Sequence, residues 1–116
     1  MEAILFGYEK KQDVIKHFTD EWEVEKSEIE KYRILFALVD YPDYEGLAYY
    51  VLQEKATGKL FDVSGSHCSC HGFEGQFEPQ ETDIRAIEKY EFYRLEDHNN
   101  EEVKLRIKEI RGLIKS

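Results

Sequence analysis

Hydrophobic positions along this chain change their period twice, and each change marks a boundary between kinds of structure. Val14, Ile15, Phe18 and Trp22 recur at steps of three to four residues, while Lys10, Lys11, Lys16 and Glu21 fall mostly elsewhere. That spacing predicts a helix over about residues 9–22. Residues 23–31 are charged and weakly patterned, with Ser27 and Glu30 spaced as a capping box for a short second turn. From Tyr32 the period shortens. Residues 32–41, YRILFALVDY, are almost continuous in β-formers, the pattern of a central strand or of one covered on both faces. Residues 42–46, PDYEG, supply a turn, because Pro presets φ and Gly accepts positive φ. Residues 47–53 then read as a second strand, 56–59 as a hairpin turn and 60–63 as the start of a third strand.

Helical spacing returns after Pro79. Thr82 is placed to cap a helix opened by Asp83, with Ile84, Ile87, Tyr90 or Glu91, and Arg94 defining its faces. Asn99 or Asn100 caps a last helix, whose early Glu101 and Glu102 and late Arg111 and Lys115 match the helix macrodipole. Val103, Ile107, Ile110 and Ile114 form its buried stripe. The order helix, three strands, helix, helix predicts a single α+β domain over residues 1–116. Its expected architecture is a three-stranded antiparallel meander, with an N-terminal helix and two C-terminal helices packed on one face.

Composition and charge narrow the function classes. With 116 residues, 41% hydrophobic and 14% aromatic, the chain can build one modest core without metal or disulfide staples. No apolar run approaches the roughly 20 residues that cross a bilayer. The N-terminus lacks the basic flank and long apolar stretch of a signal peptide. Two cysteines one residue apart are too few for a secreted disulfide framework. A cytoplasmic protein without membrane association is therefore expected. Against 16 basic residues stand 25 acidic ones, a net charge of −9. Such a body repels phosphate backbones, so direct nucleic-acid binding is not expected. An acidic surface suits a basic protein partner, including one that itself binds nucleic acid, and it also serves plain solubility.

Candidate chemistry is concentrated in residues 64–79, SGSHCSCHGFEGQFEP. Cys68 and Cys70 are bracketed there by His67 and His71, and Gly65, Gly72, Gly75 and Pro79 keep the run out of a long helix. Irregular backbone of this kind is where function tends to sit. Four potential ligands suggest a metal, zinc by ligand type. Strand alternation, however, puts Cys68 and Cys70 on one face and His67, Ser69 and His71 on the other, so the four do not converge. His67, Cys68 and Cys70 remain as metal candidates, completed by His98 or an acid. A Cys-x-Cys disulfide would span Cα atoms roughly 6.5 Å apart in extended chain, strained and reducible as a redox switch requires. A cysteine nucleophile would draw its base from His17 or His98. The plainest alternative makes both cysteines small buried hydrophobes. Phe73 and Phe77 are placed to pin the loop onto the sheet, with Glu74 and Glu78 left beside the histidines as a polar patch. Tyr41, Tyr44, Tyr49 and Tyr50 crowd the first hairpin, and tyrosine offers contact area and a hydrogen bond at little entropy cost.

The run from Gly65 to Pro79 resembles a segment of small bacteriophage and prophage proteins. That segment typically reads Gly-Ser-His-Cys-Ser-Cys-Tyr-Gly-Leu-Glu-x-Gln-Trp-Glu-Pro-Glu, after a hairpin and before a helix. This chain departs from it at His71, where Tyr is usual, and at Phe77, where Trp is usual. A position that accepts Tyr is no obligatory metal ligand. The resemblance therefore leaves His67, Cys68, Cys70, Glu74, Gln76 and Glu78 as the matched positions, and it implies a phage or prophage origin without a particular activity. The resulting expectation is a small acidic phage or prophage accessory protein without a cofactor, acting by binding a host or phage protein. Its candidate binding residues are His67, Cys68, Cys70, Glu74, Gln76, Glu78, Tyr44 and Tyr49, and no residue is assigned a catalytic role. The alternative is a metal- or thiol-dependent module, enzyme or redox switch, centred on His67, Cys68 and Cys70.

Overall fold

The structure, a computed structural model, describes residues 3–40, 46–67, 75–92, 95 and 98–114, with backbone alone at Gly46 and His67. Tyr41, Tyr44, Cys68, Cys70, His71, Phe73 and Glu74 lie outside these residues. In chain order the elements are β1 (Ile4–Phe6), α1 (Lys11–Asp20), α2 (Lys26–Ile29), β2 (Tyr32–Asp40), β3 (Gly46–Glu54), β4 (Leu60–His67), β5 (Gln80–Thr82), α3 (Ile84–Glu88) and α4 (Asn100–Ile107), which runs into a 3₁₀ turn at Lys108–Gly112.

The strands form one five-stranded sheet in the order β1-β2-β3-β4-β5. β2, β3 and β4 make the expected antiparallel meander. The expectation of a three-stranded, wholly antiparallel sheet is nevertheless wrong, because a short strand is added at each edge. β1 pairs parallel to β2, Ile4 opposite Phe36, which requires the crossover supplied by α1 and α2. β5 pairs antiparallel to the first residues of β4, Leu60 opposite Thr82. Three residues are too few to show a period, and Gln80-Glu81-Thr82 has no buried face to reveal it. The backbone ladder to an existing strand holds both edges in place.

Helices also cover both faces, not one. Val14, Phe18 and Trp22 of the α1 region and Ile29 of α2 pack with Ala37, Val39, Ala48, Tyr50, Leu52 and Val63. On the opposite face Ile87 of α3, Val103 and Ile107 of α4 and Ile110 pack with Phe36, Leu38, Tyr49 and Val51. The continuous apolar run of β2 follows from this double cover. Its side-chain parity is set by a bulge. Ile34 pairs with Leu52 and Phe36 with Val51, which leaves Leu35 as the extra residue. Leu35 and Phe36 consequently both join the α3–α4 core, whereas Ile34 before them and Ala37 after them join the α1 core.

Local capping differs in detail from the sequence reading. Asp83, not Thr82, caps α3, its carboxylate accepting from the Ala86 N–H at 2.9 Å, while Thr82 ends β5. Asn99 caps α4 by accepting from the Glu102 N–H at 3.0 Å. At α2 the capping position is Glu25, with no side-chain cap, and Ser27 lies inside the helix.

Candidate functional site

Among the described residues the buried polar side chains are Asp40, at the end of the sheet where β1, β2 and β4 finish and β3 begins, and Gln53, at the opposite end. Asp40, Leu47 and Ser66 stand in register across β2, β3 and β4. With neighbouring strands about 4.8 Å apart, the backbone of Asp40 is ~10 Å from that of Ser66. β4 closes its pairing at His67, opposite Gly46, one residue before Cys68 in the sequence.

Asp40 is the only acidic residue of the chain's β2 run, and it is 1% exposed. His98, from the approach to α4, places Nδ1 3.1 Å from Asp40 Oδ2, and its ring meets Phe6 edge-on at 5.6 Å between centroids. A carboxylate accepts, so Nδ1 carries the donated proton and Nε2 is the nitrogen left for chemistry. This is the arrangement by which a carboxylate orients a histidine base or metal ligand. The pair joins residues 58 positions apart. A polar residue closing an apolar strand run is the sequence signal that points to Asp40; nothing local points to its partner.

The α1 face carries a second polar group. Gly7 turns the chain out of β1 at φ +88°, where a Cβ would lie 2.4 Å from the Val39 carbonyl oxygen, so no other residue fits without movement. Tyr8 follows. Its hydroxyl lies 2.6 Å from His17 Nδ1 and 2.5 Å from the hydroxyl of buried Tyr50. The three groups are satisfied when Tyr50 donates to Tyr8 and Tyr8 donates to Nδ1, which assigns the remaining ring proton to Nε2. Tyr49, one residue earlier on β3, faces the other way. It is buried, stacks on Tyr90 with ring centroids 3.9 Å apart, and donates to Asp62 Oδ2 at 2.9 Å. Burial first, then the charge of Asp62, pushes the Tyr49 hydroxyl far above the usual phenol range, and Tyr90 is raised for the same reasons. Tyr49 is thus a core residue, which takes it away from the hairpin surface expected of it.

Within the run itself, Gln76 and Phe77 have defined work. The Gln76 amide closes on the backbone of Ser66 in both directions, Oε1 accepting from the Ser66 N–H at 2.9 Å and Nε2 donating to the Ser66 carbonyl at 2.7 Å. One side chain thereby imitates the next rung of the β4–β5 ladder, beyond the point where β5 pairs. Phe77 packs its ring against Phe18 at 5.3 Å and Trp22 at 6.4 Å. It pins the run as expected, but onto α1 as well as the sheet. Glu78 is exposed. The chain therefore leaves β4 and returns at one tied point, with Cys68, Cys70 and Glu74 between. Among the described residues no three His, Cys, Asp or Glu side chains converge as a metal site requires.

No family model, curated protein or solved structure matches this chain.

Proposed function

We propose that this chain is a small acidic accessory protein of a bacteriophage or prophage that works in the host cytoplasm by binding a protein partner, not nucleic acid or membrane, through the segment from His67 to Glu78. The observation that supports this reading is the tie at the base of that segment. The Gln76 amide joins its two ends at Ser66 and Phe77 anchors the return, so the fold commits two side chains to holding the ends of a polar stretch together. Of the matched positions, Gln76 has this scaffolding part, while His67, Cys68, Cys70, Glu74 and Glu78 are the recognition candidates. No described helix is long and apolar enough to cross a bilayer. The test is capture of a partner from infected or lysogenic cells with the full chain. Glu74→Ala with Glu78→Ala reduces capture at unchanged melting temperature. Undiminished capture, or turnover of a substrate by the purified chain, sinks the proposal.

The Asp40–His98 pair favours a second reading, a thiol- or metal-dependent module. It orients a histidine at the sheet end where β4 closes its pairing at His67, the residue before Cys68 in the sequence. In that reading, protein purified without chelator carries zinc, or its thiols react rapidly and slow down in His98→Asn. Metal-free protein with two inert thiols rules it out.

A further inference from the structure

We infer that the corner between α1 and α2 is a docking groove for one basic side chain, arginine or lysine, of a protein partner. The inference rests on the binding reading above and supplies the chemistry of the partner. The groove is a shallow, open depression of about 260 Å³. Pockets that take drug-sized ligands run from roughly 300 to 1,000 Å³, so this space suits a single long side chain better than a free small molecule. Trp22, Val24 and Phe77 give it an apolar wall, and Glu23, Glu25 and Glu28 give it an acidic rim. Gly75 and Phe77 bring the end of the candidate binding segment into the same wall.

An arginine or lysine matches both parts, its methylene stem lying on the wall and its charged head reaching the rim. An acidic segment fits neither the rim nor the net charge of −9, and a purely apolar one leaves the carboxylates unused. Glu28 is held by Lys31 at 2.8 Å. Glu23 and Glu25 are exposed and make no ion pair among the described residues, which leaves two carboxylates for an incoming cation. Glu23 also has φ +56°, at the end of α1 where the Val24 N–H bonds back to the Phe18 carbonyl at 3.0 Å. Glycine is the ordinary residue of that turn. A carboxylate stands where the backbone favours no side chain at all.

Trp22 is the one tryptophan of the chain, so its emission and its indole N–H resonance report on the groove directly. Titration of the full chain with acetyl-Ala-Arg-Ala-amide, or its lysine counterpart, shifts both signals with a Kd on the order of millimolar. Acetyl-Ala-Glu-Ala-amide leaves them unmoved. Replacing both Glu23→Gln and Glu25→Gln weakens the arginine peptide by about fivefold, the loss of two solvent-exposed charge contacts. Glu23→Gly weakens it too while raising the melting temperature, which separates lost recognition from lost folding. Silence towards both cationic peptides, or an equal response to the glutamate peptide, overturns the inference. An unresponsive groove beside segment-dependent capture removes this inference and leaves the binding reading. A responsive groove without capture removes the binding reading and leaves the groove.

Discussion

Tyr49 and Tyr50 are neighbours on β3, and each buries its ring completely, but on opposite faces of the sheet. Tyr50 lies among Phe18 and Trp22 and passes its hydroxyl to Tyr8, which meets the half-buried His17. Tyr49 lies under Tyr90 and Phe92 and gives its hydroxyl to the Asp62 carboxylate. One phenol ends a chain of hydroxyls that leads to the half-buried ring of His17. The other is sealed in the core against a negative charge. Residue type and strand position are the same, so the difference comes from the facing elements: α1 brings a histidine, and β4 brings an aspartate.

The most drastic way to break this comparison is to disturb the parity that assigns the faces. Inserting one alanine between Phe36 and Ala37 turns Leu38 from the α3–α4 core to the α1 core and Ala37 and Val39 the other way. The expected result is loss of a cooperative thermal transition by circular dichroism. Next in size, Tyr49→Phe deprives Asp62 of its donor and costs about 1.5–3 kcal/mol in urea denaturation, the range for hydrogen bonds to charged groups. Tyr50→Phe removes a neutral bond and costs about 1 kcal/mol. Equal costs would show that the two hydroxyls are held alike.

The pH dependence sharpens the same contrast. A phenol whose pKa is raised on folding binds its proton more tightly folded than unfolded. The stability it contributes is complete below the ordinary phenol pKa, about 10, and is lost as pH rises beyond it. Burial and Asp62 raise Tyr49 in this way. The urea midpoint of the native chain therefore falls above pH ~10, and falls less in Tyr49→Phe. The smallest expected effect is a gain: Glu23→Gly releases a left-handed residue and stabilises the fold by about 1 kcal/mol. A loss there would mean that the Glu23 side chain supports the α1–α2 corner.

Much of the fold is legible in the residues themselves. The steps from Val14 to Trp22 announce α1, Val103 to Ile110 announce α4 and its 3₁₀ turn, and the β-formers from Tyr32 onward announce β2. The continuous run of β2 even signals cover on both faces, which contradicts a two-layer packing with helices on one side. The candidate site is less legible. Gln76 can be singled out from its place in the run, but not its hold on Ser66. Tyr49 reads equally well as surface or core until the parity of β3 is known. Asp40 announces itself as a charge closing an apolar strand, whereas His98 does so only by residue type.

What the chain determined by itself were the elements whose own side chains carry a period: α1, α4 and the three long strands, with the turn between β3 and β4; the turn expected at residues 42–46 lies outside the described residues. Tertiary structure alone decided β1 and β5, because strands this short owe their existence to the backbone of a neighbour. It also decided the parity of β2, since a single unpaired residue at Leu35 inverts every face after it. Finally, it decided which polar groups meet. Asp40 with His98 and Tyr8 with Tyr50 are joined across distant stretches of sequence, and only the folded sheet with its covering elements brings their hydrogen bonds within reach.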